Sequence, residues 1–233
     1  MSIEKLKRFK NRMEAGELLA QRLVSYARRD DAIVLALPRG GVPVGFAVAK
    51  ALEVPLDVLL VRKLGFPGHE EYAMGAIASV GVCILQAEVM SANEISPSVV
   101  EAVAQRELRE IERREKLYRA GRDALQLRER VVILVDDGLA TGSTMQVAVK
   151  VVREANPARL IVAVPVAPRD SYENLRTKVD EIICLSMPEP FYAVGQWYEN
   201  FEQTTDEEVI ALLEHAQRDQ ARRTHALQDR RSE

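Results

Sequence analysis

The chain repeats one pattern that limits its fold more than any other feature: a short apolar run, a turn, and then a segment with helical periodicity. Apolar runs of this kind span residues 32–37, 56–61, 131–135, 160–166 and 181–185. The run at 131–135 is apolar throughout and rich in β-branched residues, which predicts a central buried strand. Strands that alternate with helices predict a mainly parallel sheet covered by helices on both faces. In such sheets, ligands bind beyond the carboxyl ends of the strands.

Length and charge limit the classes of protein that need to be considered. The 233 residues suit one α/β domain with an appended subdomain, and 47% hydrophobic residues suffice for a full core. A net charge of -3 gives no support for a nucleic-acid partner. The N-terminal residues lack the apolar core of a signal peptide, and no apolar run approaches membrane-spanning length, so we expect a cytoplasmic protein without a membrane partner. The polar segment 217–233 is expected to be disordered.

The segment that follows the run at 131–135 combines two kinds of chemistry. Asp136 and Asp137 come first, and small residues then lead into a predicted helix at 143–155. Small residues let the backbone approach an anion, and amide groups converge at the start of a helix. Two carboxylates would repel an anion alone. The ligand is therefore expected to carry vicinal hydroxyls or a divalent metal as well, and a ribose 5-phosphate meets this requirement.

The sequence VVILVDDGLATGST at 131–144 resembles the motif with which type I phosphoribosyltransferases bind 5-phosphoribosyl-1-pyrophosphate (PRPP). The resemblance implies the type I phosphoribosyltransferase fold, with a mainly parallel central sheet flanked by helices and a smaller hood and insert subdomain. It implies that Asp136 and Asp137 are the catalytic pair, contact the ribose hydroxyls, and are possible ligands of Mg²⁺. The residues that it implies around the ribose and its 5-phosphate are Gly138, Leu139, Ala140, Thr141, Gly142, Ser143 and Thr144.

Two further loops follow predicted strands and carry the chemistry of a pyrophosphate site. Arg39, Gly40 and Gly41 follow the first strand and resemble the pyrophosphate loop of the same family, although a plain turn also explains them. Arg62 and Lys63 follow the second strand and resemble the next loop, where they would neutralise the diphosphate. The alternative for this pair is a solvated basic surface. The segment 64–71 has no periodicity and is expected to be a mobile flap over the site.

The acceptor is harder to infer. The segment 188–201 resembles the part of hypoxanthine-guanine enzymes that covers the purine, which implies that Phe191, Tyr192 or Trp197 stacks on a base. A subdomain core is the alternative for these aromatic residues. Ala140 stands where hypoxanthine-guanine enzymes have an additional carboxylate, and residues 163–169 lack their lysine. The loop is closer to the adenine type, and the base stays open between purine-like and pyrimidine-like.

Residues 10–212 as a whole resemble an uncharacterised group of bacterial proteins known as predicted phosphoribosyltransferases. The organisation expected from this resemblance is one domain at 1–216, with a helical insert at 83–130 and a hood at 186–212. A long charged helix at 97–120 lies in the insert and offers a surface on which a homodimer could form.

Two functions follow from the resemblance. The first is a transferase of nucleotide metabolism, of the kind used in purine salvage. It would use PRPP and Mg²⁺ to transfer ribose 5-phosphate to a nitrogenous base and would release pyrophosphate. The second is a non-catalytic regulator that senses PRPP or a nucleotide on the same fold. A dinucleotide-binding protein and a P-loop kinase are disfavoured, because neither Gly-x-Gly-x-x-Gly after a strand nor Gly-Lys-Ser/Thr is present.

Overall fold

The computed structural model describes residues 8–66, 69–80, 83–85 and 96–232. Among these residues it contains six α-helices, eight strands and two short 3₁₀ helices at Val24–Tyr26 and Val194–Trp197. The helices are α1 (Arg12–Arg22), α2 (Gly41–Leu52), α3 (Pro97–Tyr118), α4 (Ser143–Glu154), α5 (Arg169–Arg176) and α6 (Asp206–Ser232). The strands are β1 (Ala32–Ala36), β2 (Leu56–Val58), β3 (Val61–Phe66), β4 (His69–Ala78), β5 (Cys83–Leu85), β6 (Val131–Val135), β7 (Arg159–Val166) and β8 (Glu181–Ser186).

The main sheet has five parallel strands in the order β2-β1-β6-β7-β8. Side chains of β6 alternate between two hydrophobic cores: Ile133 and Val135 join the core under α2, and Val132 and Leu134 join the core under α4. Every residue of β1 and β6 is buried, because helices cover both faces. The predicted α/β fold is confirmed, and β6 with its following loop lies in the middle of the sheet.

A second, antiparallel sheet is formed by β3, β4 and β5. The segment 64–71 was expected to be an irregular flap, but β3 continues to Phe66 and β4 begins at His69. Residues 67 and 68 lie outside the described residues. The pairing of β3 with β4 shifts its register on both sides of Gly65. Backbone hydrogen bonds can hold two strands together even where apolar and polar side chains do not alternate regularly along them. For this reason the sequence shows no alternating hydrophobic pattern at β3 and β4.

The insert contributes α3, which packs against β3 and α6. Val100, Val103 and Ile111 are buried on its packed face. Just after the helix, Arg119 donates through Nε to Oδ1 of Asp57 at 3.0 Å, and both residues are buried. This ion pair ties the insert to strand β2 at the edge of the main sheet.

The polar segment at the end of the chain differs from its expected disorder. Helix α6 begins at Asp206 and continues through this segment to Ser232. Thr205 and Glu208 cap its start reciprocally: the amide of Glu208 donates to Oγ1 of Thr205, and the amide of Thr205 donates to the Glu208 carboxylate. Because the segment is free of glycine and proline and rich in good helix formers, the helix can propagate beyond the residues that pack on α2. In the described ranges, no helix combines the length and apolar character needed to cross a bilayer.

Candidate active site

Two loops meet at the carboxyl end of the main sheet because their strands, β1 and β6, are neighbours. The amide of Leu37 donates to the carbonyl of Val135 at 2.9 Å, which joins the loop after β1 to the end of β6. Asp136 and Asp137 follow directly, and Asp137 donates its amide to Oδ1 of Asp136 at 2.8 Å. We call these two aspartates the acid pair. The predicted pyrophosphate loop therefore lies against the predicted ribose-binding residues.

Gly40 allows this close approach. A Cβ atom at this position would lie 2.0 Å from Oδ2 of Asp137, which is far shorter than any van der Waals contact. Gly41 is nearly as constrained, since its Cβ would lie 2.9 Å from Cα of Asp136. The Pro38–Arg39 peptide bond just before them is cis. The glycines are therefore required to bring the two loops together, whatever ligand they bind.

The segment 138–144, which we call the collar, surrounds the start of α4. Gly142 has φ +69° and is the residue from which α4 begins, a conformation that favours glycine. The amides of Ala140, Thr141 and Gly142 donate to none of the residues that the structure describes. Free amides beside a helix N-terminus form an anion-binding site, because the helix dipole adds to their positive charge.

Other contacts hold the collar in place. The amide of Leu139 donates to the carbonyl of Val166, and Oγ of Ser171 donates to the carbonyl of Ala140 at 2.7 Å. Thr141 donates its hydroxyl to Oγ of Ser143 at 3.1 Å. The collar is thus fixed through its carbonyls and its ends, while the amides of its centre stay available to a ligand.

Ionisation of both carboxylates of the acid pair is unfavourable, because they are buried and adjacent. Burial, together with the neighbouring Asp137, raises the pKa of Asp136 well above its ordinary value. Burial also raises the pKa of Asp137, while the guanidinium of Arg12 opposes that rise. A ligand that donates hydroxyl hydrogen bonds to the pair, or a cation beside it, would stabilise the charged form. The pair is therefore suited to a sugar diol and poorly suited to a bare anion.

Sequence reasoning missed Arg12, which lies in the first turn of α1. Its Nε donates to Oδ2 of Asp137 at 2.8 Å, and NH1 donates to the carbonyl of Glu202 at 2.7 Å. Its guanidinium also covers the ring of Phe201, 3.9 Å from the centroid. A single arginine in an amphipathic helix, 125 residues away from Asp137, offers no local signal that could have identified it.

The hood docks on the N-terminal residues beside the acid pair. The hydroxyl of Tyr198 donates to the carbonyl of Asp137 at 2.6 Å, and the ring packs on Phe9 with centroids 5.5 Å apart. The amide of Phe9 donates to the carbonyl of Trp197, and the amide of Glu199 donates to the carbonyl of Phe9. Burial raises the pKa of Tyr198, which keeps its hydroxyl a donor at neutral pH. Tyr198 thereby fixes the backbone of the acid pair.

The three predicted base-stacking residues are only partly brought together. The rings of Phe191 and Trp197 stack on each other with centroids 6.4 Å apart and an interplanar angle of 23°. Tyr192 is 77% exposed. The indole Nε1 of Trp197 is buried and has no hydrogen-bond partner within the described part of the chain. A buried donor without a partner is rare, and it leaves one hydrogen bond open to a ligand in the hood.

The predicted pyrophosphate-binding cations are all engaged with other groups. Arg39 lies 3.6 Å from Oδ1 of Asp206, the atom that also accepts the hydroxyl of Tyr118. Arg62 donates from Nε to Glu107 at 2.8 Å. Lys63 lies at the collar, where its Nζ donates to Oγ of Ser143 at 2.7 Å. That contact joins Lys63 to the collar, the segment predicted to bind the 5-phosphate.

Comparisons with known proteins found a family model, a curated relative and a solved structure that are similar to this chain. The family model described as "Phosphoribosyl transferase domain" matches residues 2–200. A protein of Mycobacterium tuberculosis named "Putative phosphoribosyl transferase Rv0571c" is 45% identical over 214 residues, which cover 92% of this chain and 48% of that protein. The chain therefore spans about half the length of this curated relative. The crystal structure of TT1426 from Thermus thermophilus has 41% sequence identity and a TM-score of 0.79, covering 88% of this chain and 97% of that chain.

Proposed function

Because this chain belongs to the phosphoribosyl transferase domain family, we propose that it binds PRPP between the collar and the loop at 39–41, with the ribose over the acid pair. The observation that carries the proposal is the combination of free collar amides with two adjacent buried carboxylates. The amides would bind the 5-phosphate, and the carboxylates would accept hydrogen bonds from the ribose hydroxyls. The arrangement as a whole suits a ligand that carries both a phosphate and a sugar diol.

The proposed reaction transfers ribose 5-phosphate to a nitrogen of a purine-like or pyrimidine-like base, as in purine salvage, and the cytoplasm is the proposed location. A nitrogen atom of the base forms a bond to C1 of the ribose and loses its proton to water, and the bond from C1 to the pyrophosphate oxygen breaks, so that pyrophosphate leaves with the bonding electrons. Asp136 and Asp137 would hold the ribose while positive charge develops on it. The glycine-lined loop at 39–41 would receive the leaving group. These residues act by binding and orientation, so no covalent step on the protein is needed.

Mg²⁺ fits the site only if the substrate supplies some of the atoms that coordinate the metal. The described residues contain no cluster of three or more His, Cys, Asp or Glu side chains that could hold a metal by themselves. The acid pair offers two carboxylates, and Mg²⁺ commonly retains waters and substrate oxygens beside one or two carboxylates. Bound in this way, the metal would neutralise the charge of the pyrophosphate. Asp136 and Asp137 are the residues that would hold it.

The acceptor base would lie under the hood. Phe191 and Trp197 form an apolar surface there, and Nε1 of Trp197 is a buried donor without a partner in the described structure. A purine or pyrimidine ring carries acceptor atoms that could use this donor. The other function on the same fold, a non-catalytic PRPP sensor, would share the PRPP site and differ only in lacking turnover.

The experiment that separates the two functions measures pyrophosphate release. The full chain is incubated with PRPP, Mg²⁺ and each of a panel of purine and pyrimidine bases, with a base-free sample as control. The proposal expects release that depends on one base or a few related bases. Tight PRPP binding without release on any base would refute the transferase and favour the sensor.

A further inference from the structure

The guanidinium of Arg39 has one charged partner among the described residues, and that partner lies outside the loop at 39–41. Its NH1 lies 3.6 Å from Oδ1 of Asp206, the first residue of α6. This distance is an ion contact and is too long for a hydrogen bond. The side chain of Arg39 donates no hydrogen bond to any residue that the structure describes. One weak contact therefore holds it in place.

Asp206 is held much more firmly than Arg39. Its Oδ1 accepts a hydrogen bond from the hydroxyl of Tyr118, the last residue of α3. Burial and this hydrogen bond raise the pKa of Tyr118 to about 12, so the hydroxyl remains a donor at neutral pH. The reciprocal cap of Thr205 and Glu208 fixes the turn in which Asp206 lies. When the ion pair opens, Arg39 is therefore the partner that moves.

The backbone of Arg39 lies beside the proposed PRPP site. Arg39 precedes Gly40, where a Cβ atom would lie 2.0 Å from Oδ2 of Asp137. Its carbonyl accepts from the amide of Val42, which fixes the backbone at the start of α2. The side chain itself has a long flexible stem. From this fixed point the guanidinium can turn either to Asp206 or to a pyrophosphate group bound at the loop.

The strength of the two alternatives decides which of them Arg39 takes when pyrophosphate is present. The side chains of Arg39 and Asp206 are 36% and 34% exposed. Ion pairs with this much contact with water change an equilibrium constant by no more than about fivefold. A pyrophosphate group carries several negative charges and can accept two parallel hydrogen bonds from one guanidinium. The exchange from Asp206 to pyrophosphate is therefore favourable.

We infer that Asp206 is a positioning residue that competes with the pyrophosphate group of PRPP for the guanidinium of Arg39. Arg39 leaves Asp206 when the pyrophosphate group binds and returns to it when pyrophosphate departs. Asp206 thereby weakens the binding of the leaving group and favours its release. The inference rests on the proposed function, because it requires PRPP at the loop at 39–41, and it adds a role for α6.

Calorimetric titration of the full chain with PRPP, at a fixed free Mg²⁺ concentration and without a base, tests this competition. Asp206→Asn removes the charge but keeps an acceptor for the Tyr118 hydroxyl, and it should bind PRPP about twofold to fivefold more tightly. Arg39→Ala should bind PRPP about tenfold more weakly, because a charged donor is lost. The double variant should match Arg39→Ala, since Asp206 acts only through Arg39.

Two controls separate this competition from a general effect of charge. Glu207→Gln removes one negative charge from the next residue of α6, which is exposed, and should leave the affinity for PRPP near the wild-type value. Ribose 5-phosphate lacks the pyrophosphate group and should bind wild type and Asp206→Asn equally. Circular dichroism of each variant checks that it is folded.

Several results would overturn the role of Asp206. These are unchanged or weaker PRPP binding in Asp206→Asn, an equal gain in Glu207→Gln, an equal gain for ribose 5-phosphate, or a gain that persists in the absence of Arg39. Failure of the proposed function has a different signature, because wild type itself would then bind no PRPP. If PRPP binds and Arg39→Ala weakens it while Asp206→Asn does not tighten it, the role of Asp206 alone is refuted.

Discussion

Replacing Arg12 with alanine removes the one guanidinium that contacts the acid pair within the described part of the chain. The side chains of Arg12 and Asp137 are only 11% and 15% exposed, so their ion pair is largely shielded from water. Removing one partner of a buried pair costs about 3–5 kcal/mol, because the other charge remains buried. The remaining exposure allows some water to reach Asp137, so we expect the free energy of unfolding to fall by about 3 kcal/mol, the lower end of that range. Lost contacts with Phe201 and the carbonyl of Glu202 are included in this figure.

The loss of stability in Arg12→Ala should depend on pH, and the direction of this dependence follows from the pKa of Asp137. Arg12 holds the pKa of this carboxyl lower than burial alone would set it. In wild type the ion pair is present above the pKa of folded Asp137 and is lost as the pH falls through it. The stability difference between wild type and Arg12→Ala is therefore full at neutral pH and shrinks in acid.

Urea denaturation at a series of pH values measures this difference. Arg22→Ala, an exposed change at the end of the same helix, is the control and should alter stability by less than about 0.5 kcal/mol. Arg12→Lys keeps the charge but loses the planar fork, and an intermediate loss is expected. A change in Arg12→Ala as small as that of the control, or one that is constant with pH, would refute the reasoning.

Three other substitutions test the surroundings of the site and the insert. Gly40→Ala places a Cβ atom 2.0 Å from Oδ2 of Asp137, so calorimetry should show weaker PRPP binding, and denaturation a stability loss of about 1–3 kcal/mol. Asp136→Asn removes a group whose pKa is raised by folding, so wild type loses stability relative to the variant as the pH rises through that pKa. The variant should melt at a higher temperature at neutral pH, and the advantage should vanish below about pH 4. Asp57→Ala removes the buried carboxylate of the Arg119 pair and leaves Arg119 with Glu115 alone among the described carboxylates, so urea denaturation should show a loss of about 3 kcal/mol.

The parts of the site that the sequence predicted are those encoded by neighbouring residues. An apolar strand, two aspartates and a run of small residues entering a helix follow one another at 131–144, so their chemistry can be inferred without knowing the rest of the fold. The adjacency of the loop at 39–41 also follows from the sequence, because parallel strands place their carboxyl ends on one edge of a sheet. The remaining contacts of the acid pair depend on tertiary packing between segments that are distant in the sequence.

Arg12 and Tyr198 show why those contacts were missed. They reach Asp137 from positions 125 and 61 residues away, through α1 and through the hood. Arg12 belongs to no motif, and the resemblance of the segment 188–201 implies that it covers a base, not that Tyr198 contacts the acid pair. Both roles arise only when the N-terminal residues pair with the hood. The same limit applies to Glu107, whose place in a highly charged helix gives no sign that its side chain is buried against Arg62.

Two elements differ from their expected form for local reasons. The β3 and β4 ladder lacks an alternating pattern, because its register shifts around Gly65 and its strands are held by backbone bonds. Helix α6 continues through a polar segment because helix propensity and an established helix end suffice to extend it. In both cases hydrophobic periodicity was an incomplete guide to backbone structure.

Direct binding of PRPP to the Asp136→Asn, Asp137→Asn double variant tests the proposed ribose site most directly. Calorimetry with Mg²⁺ should show wild-type protein binding PRPP and the double variant binding it about a hundredfold or more weakly, since hydrogen bonds to two charged acceptors are replaced by neutral ones. Circular dichroism of both proteins serves as the control for folding. An equal affinity for PRPP in the folded double variant would contradict the assignment of the acid pair to the ribose.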